Sequence, residues 1–291
     1  MDTSLATHDN GHYQIRVMTK AELELAVSWA ALEGWNPGLF DAESFYQTDP
    51  TGFLMGFLND QPIACISVVK YPEQFAFLGF YIVKPDYRGQ GYGYQLWQAG
   101  MASLVGYNVG LDGVVAQQDN YRQSGFQLAY RNIRFQGIVA DDLPHQSSAL
   151  VPLTDTHLLE LRRYDRDCFA VPREAFLAAW LSQPQSWALG HYEQGQLLGY
   201  GVVRPCQRGY KIGPLFANNA EIAQTLLLGL LRHLPTASEF FLDTPEINTE
   251  AVALAQRFGM QSVFETARMY TDKAPEIAIG KVFGVTSFEL G

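Results

Sequence analysis

Residues 83–97 read VKPDYRGQGYGYQLW, with Gly89, Gly91 and Gly93 alternating directly after Arg88. Glycine weakens ordered structure, so three in a row of alternate positions imply a backbone that turns sharply or approaches something closely. The stretch leaves an apolar run and enters an amphipathic pattern, a strand-to-helix junction. Bare backbone N–H groups there, added to the positive end of a helix dipole, form a site for an anion, phosphate above all. The spacing is not the G-x-G-x-x-G of dinucleotide folds, and no Lys-Ser/Thr follows as in a P-loop. Metal chemistry finds no comparable cluster: Cys65, Cys168 and Cys206 are far apart and the six histidines are scattered. The three cysteines read as small buried hydrophobes.

The loop must be held by elements on either side. HYQIRVM (12–18) alternates like a strand and KAELELAVSWAALEG (20–34) is helical, with a short helix near 41–47. GFLMGFL (52–58) and PIACISVVKY (62–71) form a hairpin across Asn59-Asp60-Gln61, and FAFLGFYIV (75–83) is a third, nearly all-apolar strand. After the loop come a helix, the strand GLDGVV (110–115), a short polar helix and FQLAYRNIRFQG (126–137). Residues 138–149 lose periodicity and read as a linker. The second half repeats the order: helices near 155–166 and 173–182, strands at 187–193, 196–205 and 209–217, a long helix at 219–233, then strand, helix, strand. The junctions SGFQLAYRNIRF and FGMQSVFETARMY match, which points to an internal duplication. The tail APEIAIGKVFGVTSFELG is apolar enough to pair along a sheet or domain edge.

Composition narrows the class. The chain has 291 residues, 47% hydrophobic and 17% charged, enough for two domains with real cores. A net charge of −10 argues against a nucleic-acid partner, which needs a basic surface. No apolar run is long enough for a membrane span and the N-terminus lacks a signal peptide, so a cytoplasmic location is expected.

Strand, then V-x-P-x-x-R-G-x-G-x-G, then helix resembles motif A of the GNAT acetyltransferase superfamily, with Arg88, Gly91 and Gly93 filling its core. The order of elements around it is similar to the family's as well. The resemblance implies an α/β fold of two tandem GNAT-like domains, 1–145 and 146–291, each a mixed, mostly antiparallel sheet flanked by helices. It implies acetyl-coenzyme A as co-substrate, without metal, its pyrophosphate on Arg88, Gly89, Gln90, Gly91, Tyr92 and Gly93. The pantetheine arm would lie along Tyr81, Ile82 and Val83 like an added strand, with Asn120 as a further contact. Tyr121, four residues before Gly125-Phe126, fills the family's slot for the acid that protonates the departing thiolate; the other reading is that it packs its helix on the sheet. An attacking amine must first lose a proton, and Glu33, Asp41 and Glu43 are the acidic candidates, Glu33 foremost; Asp41 also reads as a surface cap of the short helix. Trp35 and Asn36 fall where the family builds its substrate pocket.

The second half keeps the layout but has YKIGPLFANNAE in place of the glycine loop, and Ala255 or Arg257 where the tyrosine would stand. It reads as a degenerate repeat that completes the pocket or supports the first half, with one coenzyme bound per chain. The expected activity is N-acetyl transfer to the amine of a small molecule by direct attack. A non-catalytic acyl-coenzyme A sensor is the alternative. The acceptor and the oligomeric state stay open.

Overall fold

The computed structural model describes residues 12–144, 147–169 and 171–291. The first half runs β1 (Tyr13–Val17), α1 (Lys20–Leu32), α2 (Asp41–Thr48), β2 (Phe53–Leu58), β3 (Gln61–Tyr71), β4 (Phe75–Val83), α3 (Tyr92–Ser103), β5 (Asn108–Val114), α4 (Gln118–Gln123) and β6 (Gln127–Ile138). The second runs β7 (Leu150–Pro152), α5 (Leu158–Phe169), α6 (Glu174–Leu181), β8 (Trp187–Glu193), β9 (Gln196–Pro205), β10 (Tyr210–Ala217), α7 (Ala220–Leu231), β11 (Glu239–Pro245), α8 (Thr249–Arg257), β12 (Gln261–Tyr270) and β13 (Val282–Gly284).

Local chemistry explains the boundaries. Thr19 and Glu22 form a reciprocal capping box that starts α1. Asn59 and Asp60 both adopt positive φ, 48° and 62°, which turns β2 into β3 with the twist a two-residue hairpin needs. The strands are rich in Val, Ile and Phe and bury both faces under helices, so they read as nearly unbroken apolar runs.

The strands form one continuous sheet, in the order β1-β2-β3-β4-β5-β12-β6-β11-β10-β9-β8-β7, with β13 paired to β10. The two halves exchange their last strands. β12, from the second half, lies antiparallel to β5, and β6, from the first half, lies antiparallel to β11. β12 and β6 also pair with each other, and that seam closes the sheet in the middle. The linker near residue 145 therefore does not divide the sheet.

Among the described residues three buried ion pairs join the halves, one of them Arg268 of β12 with Asp112 of β5. Arg134 of β6 donates to both oxygens of Asp243 of β11 (2.6 and 2.7 Å), and Arg204 of β9 donates to Asp41 of α2 (2.8 and 3.2 Å). Asp41 is thus fully buried in an interhalf contact, not a surface cap. Its position is set by the charge it neutralises. The three cysteines are buried and free. Among the described residues no helix is long and apolar enough to cross a membrane.

Candidate active site

β4 and β5 are parallel neighbours from Phe75↔Asn108 to Leu78↔Leu111 and pair no further. β4 bulges just beyond that point: its register with β3 shifts, and Phe80 takes a φ of 47°. The strands splay, and a cleft of about 880 Å³ opens between them. The glycine loop forms one end of it. Gly89 and Gly91 have φ of 75° and 86°, which only glycine adopts readily, and a Cβ on either would meet no atom within 4 Å. Gly91 is the N-cap of α3 and offers no side chain to the helix's first N–H groups. Those donors are left for a ligand. Gly93 is needed for another reason: a Cβ there would stand 2.8 Å from Val83 Cγ2 and 2.9 Å from the Tyr81 hydroxyl.

The cleft brings together Glu33, Trp35, Tyr81, Ile82, Val83, Arg88, Gly89, Gly91, Gly93, Asn120 and Tyr121. Arg88 does not reach outward. Its Nε donates to the Val83 carbonyl at 2.8 Å and its guanidinium pairs with Glu33, so it ties the loop to the end of α1. That pair also engages the Glu33 carboxylate. Tyr121 lies over Gly113, where any side chain would collide with its ring, and its ring stands 5.9 Å from Trp97. Burial, helped by Tyr81, pushes its hydroxyl up to about 12, so it carries its proton throughout the neutral range. Asn120 lines the cleft but donates to Gln117 Oε1 (2.6 Å).

Four expected residues lie outside the lining of the cleft. Gln90 donates to the Asp86 carbonyl, which folds it onto the loop. Tyr92 stacks on Tyr13 of β1, with ring centroids 4.8 Å apart. Asn36 exchanges two hydrogen bonds with the backbone of Arg208 (3.0 and 2.9 Å) and so locks the halves together instead of facing the pocket. Glu43 pairs with Lys20 on the surface.

The sequence reading expected the second half to complete the pocket or support the first half, but it did not single out the residues that line the cleft. Phe264 and Thr266 of β12 and Phe288 and Glu289 of the tail line the same cleft. The only signal was a glutamate inside the apolar run VTSFEL. The tail comes from the second half's own gap. There β10 and β11 are parallel only as far as Ile212↔Leu242, and β13 occupies the space beyond. It pairs with Leu215 and Phe216 of β10, and Val285 N–H donates to the Asp243 carbonyl of β11 (2.8 Å). Asn248, at the start of α8, donates to the carbonyls of Ile279, Gly280 and Val282. The α7 N-terminus is satisfied internally, since Asn219 Oδ1 accepts from Ile222 N–H at 2.9 Å. The second gap is filled by the chain itself.

Residues 20–126 match the acetyltransferase (GNAT) family, and residues 161–284 match the acetyltransferase (GNAT) domain. The chain is 31% identical over 275 residues to holothin acyltransferase of Pseudoalteromonas sp. (strain SANK 73390), covering 93% of this chain and 92% of that protein. The chain belongs to the GNAT acetyltransferase family. Its fold is similar to that of a candidate acetyltransferase of Pyrococcus horikoshii, at a TM-score of 0.80 and 22% identity over 98% of this chain and 99% of that one. It is similar too to a tandem GNAT protein of the clavulanic acid biosynthesis pathway (TM-score 0.63, 12% identity, 90% of this chain and 100% of that one). As in such tandem proteins, two GNAT units follow one another, and this GNAT chain is an acyltransferase. Among the described residues no group of three or more His, Cys, Asp or Glu side chains could hold a metal ion.

Proposed function

We propose that the chain transfers the acetyl group of acetyl-coenzyme A to the amine of a small molecule, in the single cleft between β4 and β5. The observation that carries the reading is the open glycine loop at the head of a splayed strand pair. Gly89 and Gly91 expose uncapped N–H groups beside free space, which suits a pyrophosphate. The unpaired edge of Tyr81, Ile82 and Val83 suits an amide-bearing arm laid along it. Acetyl-coenzyme A, as substrate, supplies the activated thioester. The chain's residues orient it, keep water out, and handle protons. Tyr121 is the proton donor for the departing sulfur: it borders the cleft and holds its proton at neutral pH. Trp35 and Phe264 are the apolar walls of the acceptor side.

Calorimetry of the full chain should give one acetyl-coenzyme A site. Two equivalent sites would contradict the reading. Gly91→Trp should abolish that binding in a folded protein, because it burdens a φ of 86° and fills the space above the N–H groups. A folded variant that binds as tightly as the parent would remove the loop from the site.

A further inference from the structure

Three carboxylates line the cleft, and they differ in what already holds them. Glu33 is paired with Arg88. Asp112 is saturated: it accepts from Asn132 Nδ2 (2.8 Å) and from Arg268 Nε and Nη2 (2.9 and 2.6 Å). Glu289 is 3% exposed, yet among the described residues its Oε2 has no hydrogen-bond partner. A buried carboxylate oxygen left without a donor costs stability and persists only where something else requires it.

The tail that carries Glu289 is firmly placed. The Tyr71 hydroxyl donates to the Leu290 carbonyl (3.0 Å), and Arg173, itself paired with Asp165, donates to Thr286 Oγ1 (2.9 Å). Phe288 lies under the Arg134 guanidinium, 4.8 Å away. The charged groups around Glu289 come from four strands and a helix. Arg134 of β6 is paired with Asp243 of β11, and Arg204 of β9 with Asp41 of α2. Among the described residues Arg204 Nη1 and the Nζ of Lys211 of β10, a residue 1% exposed, have no hydrogen-bond partner. Burial first, then Arg134, push the Lys211 ammonium below its usual range. Cys206 is the remaining titratable neighbour of this cluster, a thiol raised by burial. On the cleft side stand Tyr81, Tyr121 and the closed Asp112–Arg268 pair.

We propose that Glu289 is the proton acceptor for the acceptor substrate, and that this substrate is therefore a basic amine, cationic at neutral pH. The proposal rests on the acetyltransferase reading above. The Glu289 carboxylate, which lines the cleft, meets the ammonium and takes one of its three protons. The freed lone pair attacks the thioester carbonyl carbon; a C–N bond forms and the C–S bond breaks. The thiolate takes the Tyr121 proton, and Tyr121 is restored by the second proton leaving the new amide nitrogen. Glu289 returns its proton to solvent after product leaves, so one proton is released per turnover.

The test uses the full chain, acetyl-coenzyme A, and two amines, an alkylamine of pKa near ~10.4 and a weakly basic arylamine, with thiol release read from pH 6.5 to 9. With an acceptor carboxylate, kcat/KM for the alkylamine is nearly flat over that range, since the abundant ammonium is itself the form that enters the reaction. In Glu289→Gln it should drop about 10²-fold at pH 7 and climb about tenfold per pH unit, because only free amine reacts. The arylamine, already neutral, should lose little. Glu289→Asp should keep the flat profile at a lower rate. Acetyl-coenzyme A affinity by calorimetry should be unchanged in both variants. A parental alkylamine profile that itself climbs tenfold per unit overturns the proposal without any variant. So does a Glu289→Gln protein with equal losses for both amines at every pH, the mark of a charge that only balances Lys211. No thiol release by the parent with any amine, despite coenzyme binding, would instead remove the amine-acetyltransferase reading itself.

Discussion

In the proposed reaction Tyr121 and the glycines would divide the chemistry of the cleft between them, one by a proton and the others by absence of a side chain. The Tyr121 hydroxyl, held near 12, is protonated whenever a thiolate would need it. Replacing it by phenylalanine keeps the ring over Gly113 and against Trp97 but removes the donor. We expect Tyr121→Phe to lower kcat by about 10²–10⁴-fold and leave the acetyl-coenzyme A dissociation constant within about twofold. Steady-state kinetics with parallel calorimetry check this. A variant with parental kcat would make Tyr121 a packing residue.

At the level of elements, the parts fixed by local pattern were legible. The strand FAFLGFYIV coincides with β4, the amphipathic run after the loop is α3, and the duplicated junctions mark β6 and β12. Alternation and capping are written within a few residues, so a reader of the sequence can find them. Partner choice is not. β6 and β12 have the same character, and nothing in either says which sheet it will complete. For the same reason Phe264 and Glu289 could not be assigned to the cleft: its first-half lining, from Glu33 to Ser124, lies far earlier in the chain. Asp41 was misread because its salt-bridge partner, Arg204, lies in the other half.

The tail's docking gives a sharp element-scale expectation. A Cβ on Gly79 would press into the backbone carbonyl of Glu289, and backbone cannot swing aside as a side chain can. Gly79→Ala should cost about 1–3 kcal/mol of stability and shift Glu289. We expect a lower melting temperature and a lower kcat/KM with coenzyme affinity kept. A neutral Gly79→Ala would mean that the tail is free to move at this point.

For the whole molecule, strand exchange makes the two repeats one cooperative body. We propose that 1–145 and 146–291 are two repeats by descent but not two units of folding. Residues 1–145 alone would leave β5 without β12 and β6 without β11, two open edges in one fragment. That fragment should aggregate or stay unfolded, with no turnover. Co-expressed with residues 146–291 it should return as a soluble one-to-one complex, by size-exclusion chromatography with light scattering. A stable, monomeric 1–145 fragment that retains kcat/KM would contradict the coupling.

β13 has a consequence in the language of linkage. In the second gap the strand is covalently present, so its occupancy does not depend on any concentration in solution. No ligand concentration sets whether that gap is filled. Among the described residues no strand enters the first gap, and a ligand there at 100 times its dissociation constant would add about 2.7 kcal/mol to the folded state. Because the halves share one sheet, that increment would accrue to the whole chain. A titration of melting temperature with acetyl-coenzyme A should therefore move a single transition along a single-site curve. The half whose gap β13 fills would then report, through its own unfolding, the level of a ligand held by the other.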